Sequence, residues 1–234
     1  MEYVEYRLSV KLKEDIPYKN LPEKLTNAIN QYFLLNEKLK KFHKANAYKF
    51  YTFDYLTPFE EDLIYRKNKI YNLRIRLINN EIKESFSAAL VMIKNSIFTI
   101  VGIDPIIVKK TDKKIKYLKT LTPAIIEKDY KNLSVVDMDL NLVKKRAISN
   151  VNKKYKVLNK LNKFYHDFIE DVELISEKSI VFDYKNGFLI GNKYRFKIKE
   201  DSLSQDLAFL SLGAGILERN ALSFGFCIID QKEA

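Results

Sequence analysis

Alternating apolar and polar positions predict a strand at the start of the chain. Every second side chain from Val4 to Leu12 is apolar, and polar or charged side chains lie between them. A period of two is typical of a β-strand that buries one face. The segment 70–77 alternates in the same way. The sequence therefore predicts two strands that each turn one face to a hydrophobic core.

Between and after these strands the pattern changes to helical spacing. Pro22 stands in a first helical turn, and apolar residues recur at helical spacing as far as Leu39. We expect a short aromatic strand at 48–56, a second helix at 82–93 and a closing strand at 98–108. The first half of the chain thus has the order β-α-β-β-α-β.

The second half of the chain repeats this order. Its predicted elements are a strand at 118–127, a helical region at 139–168, strands at 179–184 and 194–198, a short helix at 203–212 and a last strand at 222–229. The fold class is therefore α+β, with two tandem ferredoxin-like (RRM-like) βαββαβ domains. We place these domains at residues 1–112 and 113–234, with the basic stretch 109–119 as the linker.

The charge balance favours a polyanionic partner. The 234 residues include 41 basic and 30 acidic side chains, which gives a formal net charge of +11. Such a balance favours nucleic acid or another anionic surface. All but seven of the basic residues are Lys, and an AT-rich genome also encodes chains rich in Lys, Asn and Ile. Basicity without a nucleic-acid partner therefore stays open at this point.

Cysteine use and the lengths of apolar runs bear on the cellular compartment. Cys227 is the only cysteine and lies in an apolar run, so the sequence predicts a core residue and excludes a disulfide framework. No signal peptide is recognisable, and no apolar run approaches the about 18–20 residues that span a bilayer. We expect a cytoplasmic protein with no membrane partner.

A glycine-rich segment stands near the end of the chain. Three of the six glycines fall between Gly213 and Gly225. Glycine permits sharp turns and the close approach of another backbone. Arg219 and Asn220 in the same segment carry donors for a phosphate or a base. We expect a loop that binds phosphates through its backbone N–H groups and Arg219.

Several cofactor- and metal-binding motifs are missing from the sequence. There is no Gly-x-x-x-x-Gly-Lys-Ser/Thr phosphate loop and no Gly-x-Gly-x-x-Gly after the first strand. The two histidines do not form a zincin motif, and the carboxylates do not follow the pattern of a two-metal nuclease. We therefore expect neither a metal site nor a cofactor.

The two histidines are candidates for proton transfer near neutral pH. His43 lies in a basic stretch that lowers its pKa, and Lys49 follows six residues later. If the first helix continued, eleven residues at about 100° each would bring His43 to the face of Tyr32. His166 stands at an aromatic-rich helix end, and we interpret it as structural.

RNA offers chemistry that these residue types can catalyse without a metal. A base removes the proton of the 2′-hydroxyl, the oxygen attacks the adjacent phosphate, and an acid protonates the leaving 5′-oxygen. His43, Lys49 and Tyr32 supply groups for these roles. The alternative is that His43 is a bystander in a protein that binds RNA without cutting it.

Three segments of the chain resemble one known family. These segments are Gly213-Ala-Gly215 with Arg219, Asn220 and Ser223-Phe224-Gly225-Phe226; Lys119-Thr-Leu-Thr-Pro-Ala-Ile-Ile126; and His43 with Lys49 and Thr52-Phe53-Asp54-Tyr55-Leu56. They resemble, in matching order, the motifs of the CRISPR-associated repeat endoribonucleases, the Cas-six family of repeat-associated mysterious proteins (RAMP). Two positions depart from the family pattern, because Ser223 replaces a glycine and Asp54 stands where Ser is frequent.

The resemblance implies an activity and a set of site residues. Enzymes of this family cut CRISPR precursor RNA within each repeat, without metal, and leave a 2′,3′-cyclic phosphate. By resemblance His43 is the general acid/base, Lys49 stabilises the charge of the transition state, and Tyr32 is a proton donor or an orienting hydroxyl. The implied RNA-binding residues are Gly213, Gly215, Arg219, Asn220, Ser223, Phe224 and Gly225.

The resemblance also implies the partners. They are CRISPR repeat RNA, as precursor and as mature guide RNA, while a CRISPR effector complex and a homodimer are left open. Two alternatives to the enzyme remain at this stage. One is a non-catalytic RNA-binding protein of the same fold, and the other is a structural subunit of a CRISPR ribonucleoprotein complex.

Overall fold

The computed structural model describes residues 1–45, 47–78, 81–126 and 139–231. They form two antiparallel four-stranded sheets, one in each half of the chain, and two small two-stranded sheets. In each half the helices and the sheet share a hydrophobic core. Among the described residues, no helix has both the length and the apolar character to cross a membrane.

The first half builds a four-stranded sheet in the order β3-β5-β1-β6. Its elements are β1 (Glu2–Leu12), β2 (Ile16–Pro17), α1 (Leu21–Tyr32), α2 (Glu37–Lys44), β3 (Tyr51–Phe53), β4 (Ile64–Tyr65), β5 (Ile70–Leu77), α3 (Lys83–Met92) and β6 (Phe98–Lys109). The alternation in β1 has the predicted consequence, because Tyr6, Leu8 and Val10 are all buried. The short strands β2 and β4 pair with each other outside this sheet.

The second half builds a sheet in the order β12-β7-β11-β8. Its elements are β7 (Tyr117–Thr120), α4 (Leu140–Leu158), β8 (Ile169–Leu174), β9 (Ile180–Tyr184), β10 (Gly187–Gly191), β11 (Tyr194–Ile198), α5 (Ser202–Ala214) and β12 (Cys227–Ile229). In both sheets the first and third strands of the βαββαβ unit are central and the other two are at the edges. The predicted α+β fold of two tandem ferredoxin-like domains is confirmed.

The second strand of the second domain differs from the prediction. We expected it at 179–184, but β8 pairs with β11 in that place, and β9 forms a separate hairpin with β10. The acidic residues of β8 interrupt its pattern of apolar positions, so the strand was not predicted. The helical region that we predicted to residue 168 ends at Leu158. The hairpin instead inserts Phe182 between Tyr18 and Phe224, so it packs against the first domain.

The first helix also differs from the prediction. The chain leaves helical structure after Tyr32 and begins α2 at Glu37, instead of continuing through Leu39 in one helix. The cause is Asn36, whose side-chain oxygen accepts the N–H of Leu39 and caps the new helix. Because Tyr32 and His43 lie in separate helices, the expected placement of both on one face of a single helix is wrong.

Arg76 joins the two domains through a buried guanidinium. Its Nε donates to Glu5 Oε2 at 2.7 Å, and the two side chains are only 6% and 5% exposed. Its Nη1 donates to the carbonyl oxygens of Leu212 at 2.9 Å and Cys227 at 2.6 Å. The guanidinium also lies 4.2 Å from the centre of the Phe226 ring. The first sheet is therefore tied to α5 and β12 of the second domain.

Candidate active site

The C-terminal end of α2 is organised by Lys49. Its ammonium donates to the carbonyl oxygens of Phe42 at 3.0 Å and His43 at 2.7 Å, and also to that of Ala45. The last carbonyls of a helix lack intrahelical partners and carry partial negative charge, so an ammonium is favourable there. Burial lowers the pKa of Lys49. Lys49 thus fixes the backbone that carries His43.

The imidazole of His43 is held by an aromatic neighbour. It stacks on the ring of Phe33, with centres 5.4 Å apart and planes at 14°. Its Nδ1 is buried without a hydrogen-bond partner, which leaves Nε2 as the ring nitrogen for a substrate. Partial burial and then the charge of Lys49 lower the pKa of His43 below its ordinary value. The ring is therefore neutral at pH 7 and able to accept a proton.

Tyr32 does not share this surface. The side chain is 0% exposed, and its ring makes an edge contact with Phe86 in the core of the first domain. Burial raises the pKa of Tyr32, so its hydroxyl stays protonated. The structure brings His43 and Lys49 together, whereas Tyr32 lies in the core of the first domain. The sequence reasoning missed Phe33, the residue next to Tyr32, which is the one that contacts the histidine.

The three glycines of the C-terminal segment serve packing and turns. Gly213 belongs to the last turn of α5 and not to a loop, and a Cβ there would lie 2.7 Å from the side chain of Ile78. Gly215 and Gly225 have φ of 76° and 68°, which side chains rarely adopt. A Cβ on Gly225 would lie 2.0 Å from the carbonyl oxygen of Ile216.

Asn220 closes the glycine-rich segment from inside. Its Nδ2 donates to the carbonyl oxygens of Ile216 at 3.0 Å and Phe224 at 2.8 Å, while Oδ1 accepts from Lys154 at 2.6 Å. The side chain is buried and its amide groups are engaged in these contacts. Asn220 therefore stabilises the loop, and no group of this amide faces a ligand in this conformation.

Lys154 is a buried cation beneath the same segment. Besides Asn220, its ammonium donates to the carbonyl oxygens of Ala214 at 3.2 Å and Gly215 at 2.8 Å. Burial lowers the pKa of Lys154 to about 7. The sequence reasoning missed it, although a signal was present. Lys154 follows Val151 by three residues on the apolar face of α4, where a lysine is unusual.

The rest of the segment is also turned inward. Ser223, Phe224 and Gly225 are buried, and Phe224 packs against the ring of Phe182. The backbone N–H groups of these three residues donate to carbonyl oxygens of the chain itself. Of the seven residues predicted to bind RNA, only Arg219 is exposed.

Arg219 stands beside the inserted hairpin. It has φ of 60°, and its guanidinium lies 5.8 Å from the ring centre of Tyr184 at the end of β9. Phe188 on β10 is 58% exposed, and Lys185 at the turn is also exposed. Exposed aromatic rings next to cations are typical of surfaces on which nucleic-acid bases stack. The hairpin is the part of the candidate interface that sequence reasoning did not include.

Residues next to Lys49 and next to Arg219 in the sequence connect the two parts of the candidate site. Tyr48 precedes Lys49, and its pKa is raised by burial and then by the negative charge of Glu218. Glu218 precedes Arg219, and its carboxylate lies 3.5 Å from the guanidinium of Arg146 on α4. Tyr48 beside Lys49 and Glu218 beside Arg219 are therefore close enough for the charge of one to act on the other.

The second histidine supports the start of α5. Asp201 caps this helix by accepting the N–H of Ser204, and His166 Nε2 lies 3.1 Å from Asp201 and 2.9 Å from Ser204 Oγ. This placement fits the structural interpretation of His166. Nowhere in the described parts of the chain do three His, Cys, Asp or Glu side chains form a group that could hold a metal ion.

Comparison with known proteins defines the class of fold. Solved structures match nearly the whole chain. One, named CRISPR associated protein Cas6, is 23% identical, covers 98% of this chain and 100% of its own, and has a TM-score of 0.67. A second, a Cas6-related protein from Pyrococcus furiosus, is 17% identical over 99% of this chain and 100% of its own, with a TM-score of 0.73.

A third similar structure is described as a RAMP protein binding different RNA substrates. It is 16% identical, covers 97% of this chain and 100% of its own, and has a TM-score of 0.74. No protein-family model matches the chain, and no curated protein matches it in sequence. The chain therefore has the fold of the Cas6 and RAMP structures, from one end to the other.

Proposed function

We propose that the chain is a metal-independent endoribonuclease of the Cas-six (Cas6) family that cleaves CRISPR precursor RNA within repeats. The observation that carries this proposal is the half-buried imidazole of His43, which stacks on Phe33 at the helix end that Lys49 holds, in surroundings that lower its pKa. The shared fold and the motif resemblance support the choice of substrate. Such a site needs a substrate that carries its own nucleophile, and the 2′-hydroxyl of RNA is one.

The reaction follows from the position of His43. Its Nε2 takes the proton of the 2′-hydroxyl at the cut site, and the 2′-oxygen attacks the adjacent phosphorus. The bond between phosphorus and the 5′-oxygen breaks, that oxygen takes up a proton from water, and His43 returns to its neutral form by releasing the proton that it removed. The upstream fragment ends in a 2′,3′-cyclic phosphate and the downstream fragment begins with a 5′-hydroxyl. Mature guide RNA is the product.

Lys49 acts in this scheme as a positioning residue with a fixed charge. Three carbonyl oxygens already accept from its ammonium, which holds the last turn of α2 in place. After burial, its positive charge is the second cause that lowers the pKa of His43 in the free enzyme. The same charge favours the extra negative charge that the phosphate gains in the transition state.

RNA binding rests on the surface around Arg219. The Arg219 guanidinium contacts a phosphate, while the exposed Phe188 ring and the half-buried Tyr184 ring of the hairpin stack with unpaired bases. The buried parts of the glycine-rich segment hold Arg219 in place, since Asn220 and Lys154 hold the turn that follows α5. The segment thus acts as a rigid support for the interface.

One observation favours a second candidate function. The burial of Tyr32 removes from this surface the hydroxyl that the motif resemblance assigns to proton transfer. A non-catalytic RNA-binding protein of the same fold would have the same hairpin and the same Arg219. Under this alternative, repeat RNA binds with the affinity of the enzyme but is released intact.

Cleavage of repeat RNA in EDTA separates the two functions. The proposal predicts cutting of the ribose substrate, a 2′,3′-cyclic phosphate on the upstream product, and no cutting of a substrate with 2′-deoxyribose at the cut site. Cutting that requires added Mg²⁺, or that continues on the 2′-deoxy substrate, would refute the mechanism. Tight binding of both substrates without cutting would establish the alternative.

A further inference from the structure

A second basic site lies away from His43, where the two domains meet the linker. A cavity of about 730 Å³ opens between the ends of β1 and β6, the helix α5 and the segment from residue 110 to residue 116. None of its lining residues belongs to the candidate active site. Its volume falls within the range of about 300–1,000 Å³ in which small organic ligands bind.

The rim of this cavity carries surplus positive charge. Five linker lysines line it: Lys109, Lys110, Lys113, Lys114 and Lys116. Lys110 pairs with Asp206, and Lys114 pairs with Glu200 at 2.6 Å. Lys109 and Lys113 form no ion pair with a described side chain. Two ammonium groups are therefore available to an anion at the rim.

The floor of the cavity is apolar and aromatic. The rings of Tyr3 and Phe209 lie with centres 5.3 Å apart, and Leu212 stands beside them among the lining residues. Tyr3 and Phe209 are only 6% and 4% exposed, so small parts of their rings reach the cavity. Ile229, which is 45% exposed, adds an accessible apolar side chain to the lining. An apolar floor beneath a cationic rim matches a molecule that joins a planar base to a phosphate.

The linker that carries the lysines is fixed in place. Ile115 is buried, its N–H donates to Gln205 Oε1 at 2.7 Å, and its carbonyl accepts from Gln205 Nε2 at 3.1 Å. The amide of Gln205 also donates to the carbonyl oxygen of Lys199 at 3.0 Å. Because Ile115 is held on both sides, the lysines next to it are presented in a preformed site.

We propose that this cavity binds a nucleotide unit, with its phosphate at Lys109 and Lys113 and its base against Ile229 and the apolar floor. The nucleotide is either free in solution or part of a single-stranded RNA. The second source rests on the proposed function, because it requires the chain to bind RNA. In that case the site grips a part of the RNA away from the cut.

Binding measurements on the full chain test this site. The probes are adenosine 5′-monophosphate and a short fluorescein-labelled oligoadenylate, each titrated into the double variant Lys109→Ala/Lys113→Ala. Loss of two charge-assisted contacts should weaken binding at least about tenfold. For the oligonucleotide, the slope of log K against log salt should fall by about 1.4, or 0.7 for each single-strand phosphate contact.

A matched pair elsewhere controls for net charge. Lys67 and Lys163 are exposed and lie outside the cavity lining, so Lys67→Ala/Lys163→Ala should leave both affinities unchanged. Equal weakening by the two pairs, or no effect of either pair, would overturn the proposal. If Lys109→Ala/Lys113→Ala weakens binding of the monophosphate alone, the ligand of the site is a free nucleotide. If it weakens binding of the oligonucleotide alone, the ligand is RNA.

The titrations are repeated on a chain that also carries His43→Ala. Binding to the cavity should be the same in this background, because His43 does not line it. If the protein with His43 intact does not cleave repeat RNA but still shows lysine-dependent binding, the result therefore counts against the proposed function and not against the nucleotide site. Lysine acetylation gives an independent readout, in which bound probe should protect Lys109 and Lys113 but not Lys67.

Discussion

At the scale of single residues, two neighbours determine the acid–base behaviour of His43. The stacking ring of Phe33 contributes to its burial, and Lys49 adds a positive charge nearby. Both effects disfavour the imidazolium, so the pKa falls below the ordinary value of about 6.5. A histidine with a lowered pKa accepts a proton at pH 7 but donates less readily. The free protein is therefore prepared for removal of the 2′-hydroxyl proton.

Lys49→Met should change the pH dependence of cleavage. Activity requires neutral His43, so the rate rises with pH through the pKa of His43 and is lost below it. Removing the Lys49 charge raises the pKa of His43 toward about 6.5. The pH below which the cleavage rate falls should therefore increase. Single-turnover rates across pH check this. Lys44→Met removes a lysine from the same helix end and should leave that pH unchanged.

Lys154→Met should destabilise the protein, because Lys154 holds buried oxygen atoms beneath the glycine-rich segment. It leaves Asn220 Oδ1 and the carbonyl oxygens of Ala214 and Gly215 without this donor. Unpaired buried acceptors of this kind cost about 1–3 kcal/mol each, partly relieved by rearrangement. Urea denaturation should show a loss of about 3 kcal/mol. Lys153→Met, at the exposed neighbouring position, should stay within about 0.5 kcal/mol.

At the scale of elements, the glycine-rich segment is a packed turn. Gly225→Ala should therefore lower the free energy of unfolding by about 2–4 kcal/mol, since it combines a positive φ with a clash at the Ile216 carbonyl oxygen. Gly187→Ala is the matched control, because nothing lies within 4 Å of a Cβ there. Equal losses in the two variants would show that the turn does not need this glycine.

The elements differ in how much of them the sequence could predict. The strand β1 was predictable because buried apolar side chains stand at every second position from Val4 to Leu12 with polar residues between them, which gives a period of two. The strand β8 was missed because Glu170, Asp171 and Glu173 outnumber its buried positions. The break before α2 depends on the single side chain of Asn36, whose capping hydrogen bond does not show in a hydrophobic pattern.

The candidate site was predictable only in part for a related reason. His43 and Lys49 lie six residues apart, so local structure alone brings them together. The orientation of Tyr32 depends on where α1 ends and how it packs on Phe86, and no local pattern records that. Burial of the glycine-rich segment depends on contacts between distant parts of the chain, such as that of Phe224 with Phe182.

At the scale of the whole molecule, the two domains act as one body joined through Arg76. Arg76→Met leaves Glu5 buried and removes donors from Leu212 and Cys227, so it should cost about 3–5 kcal/mol of stability. Arg7→Met removes the other, 57% exposed partner of Glu5 and should cost less than about 1 kcal/mol. Denaturation curves of both variants test this, and equal effects would contradict a central role for Arg76.

The contacts between the domains bear on function, because the proposed interface draws on both domains. The first domain supplies His43 and Lys49, and the second supplies Arg219 and the hairpin that packs back on Tyr18. Neither domain alone carries both the proposed cutting group and the proposed RNA-binding surface. The account therefore joins catalysis to the end of α2 and substrate binding to the second domain.

Single-turnover cleavage of repeat RNA in EDTA by His43→Ala tests the central claim most directly. The account predicts a rate at least about 100-fold below that of the unchanged protein, since general acid–base groups contribute about 10²–10⁴-fold, with RNA affinity unchanged. His166→Ala, the other histidine, should keep its cleavage rate once any loss of stability is allowed for. Unchanged cleavage by His43→Ala would contradict the account.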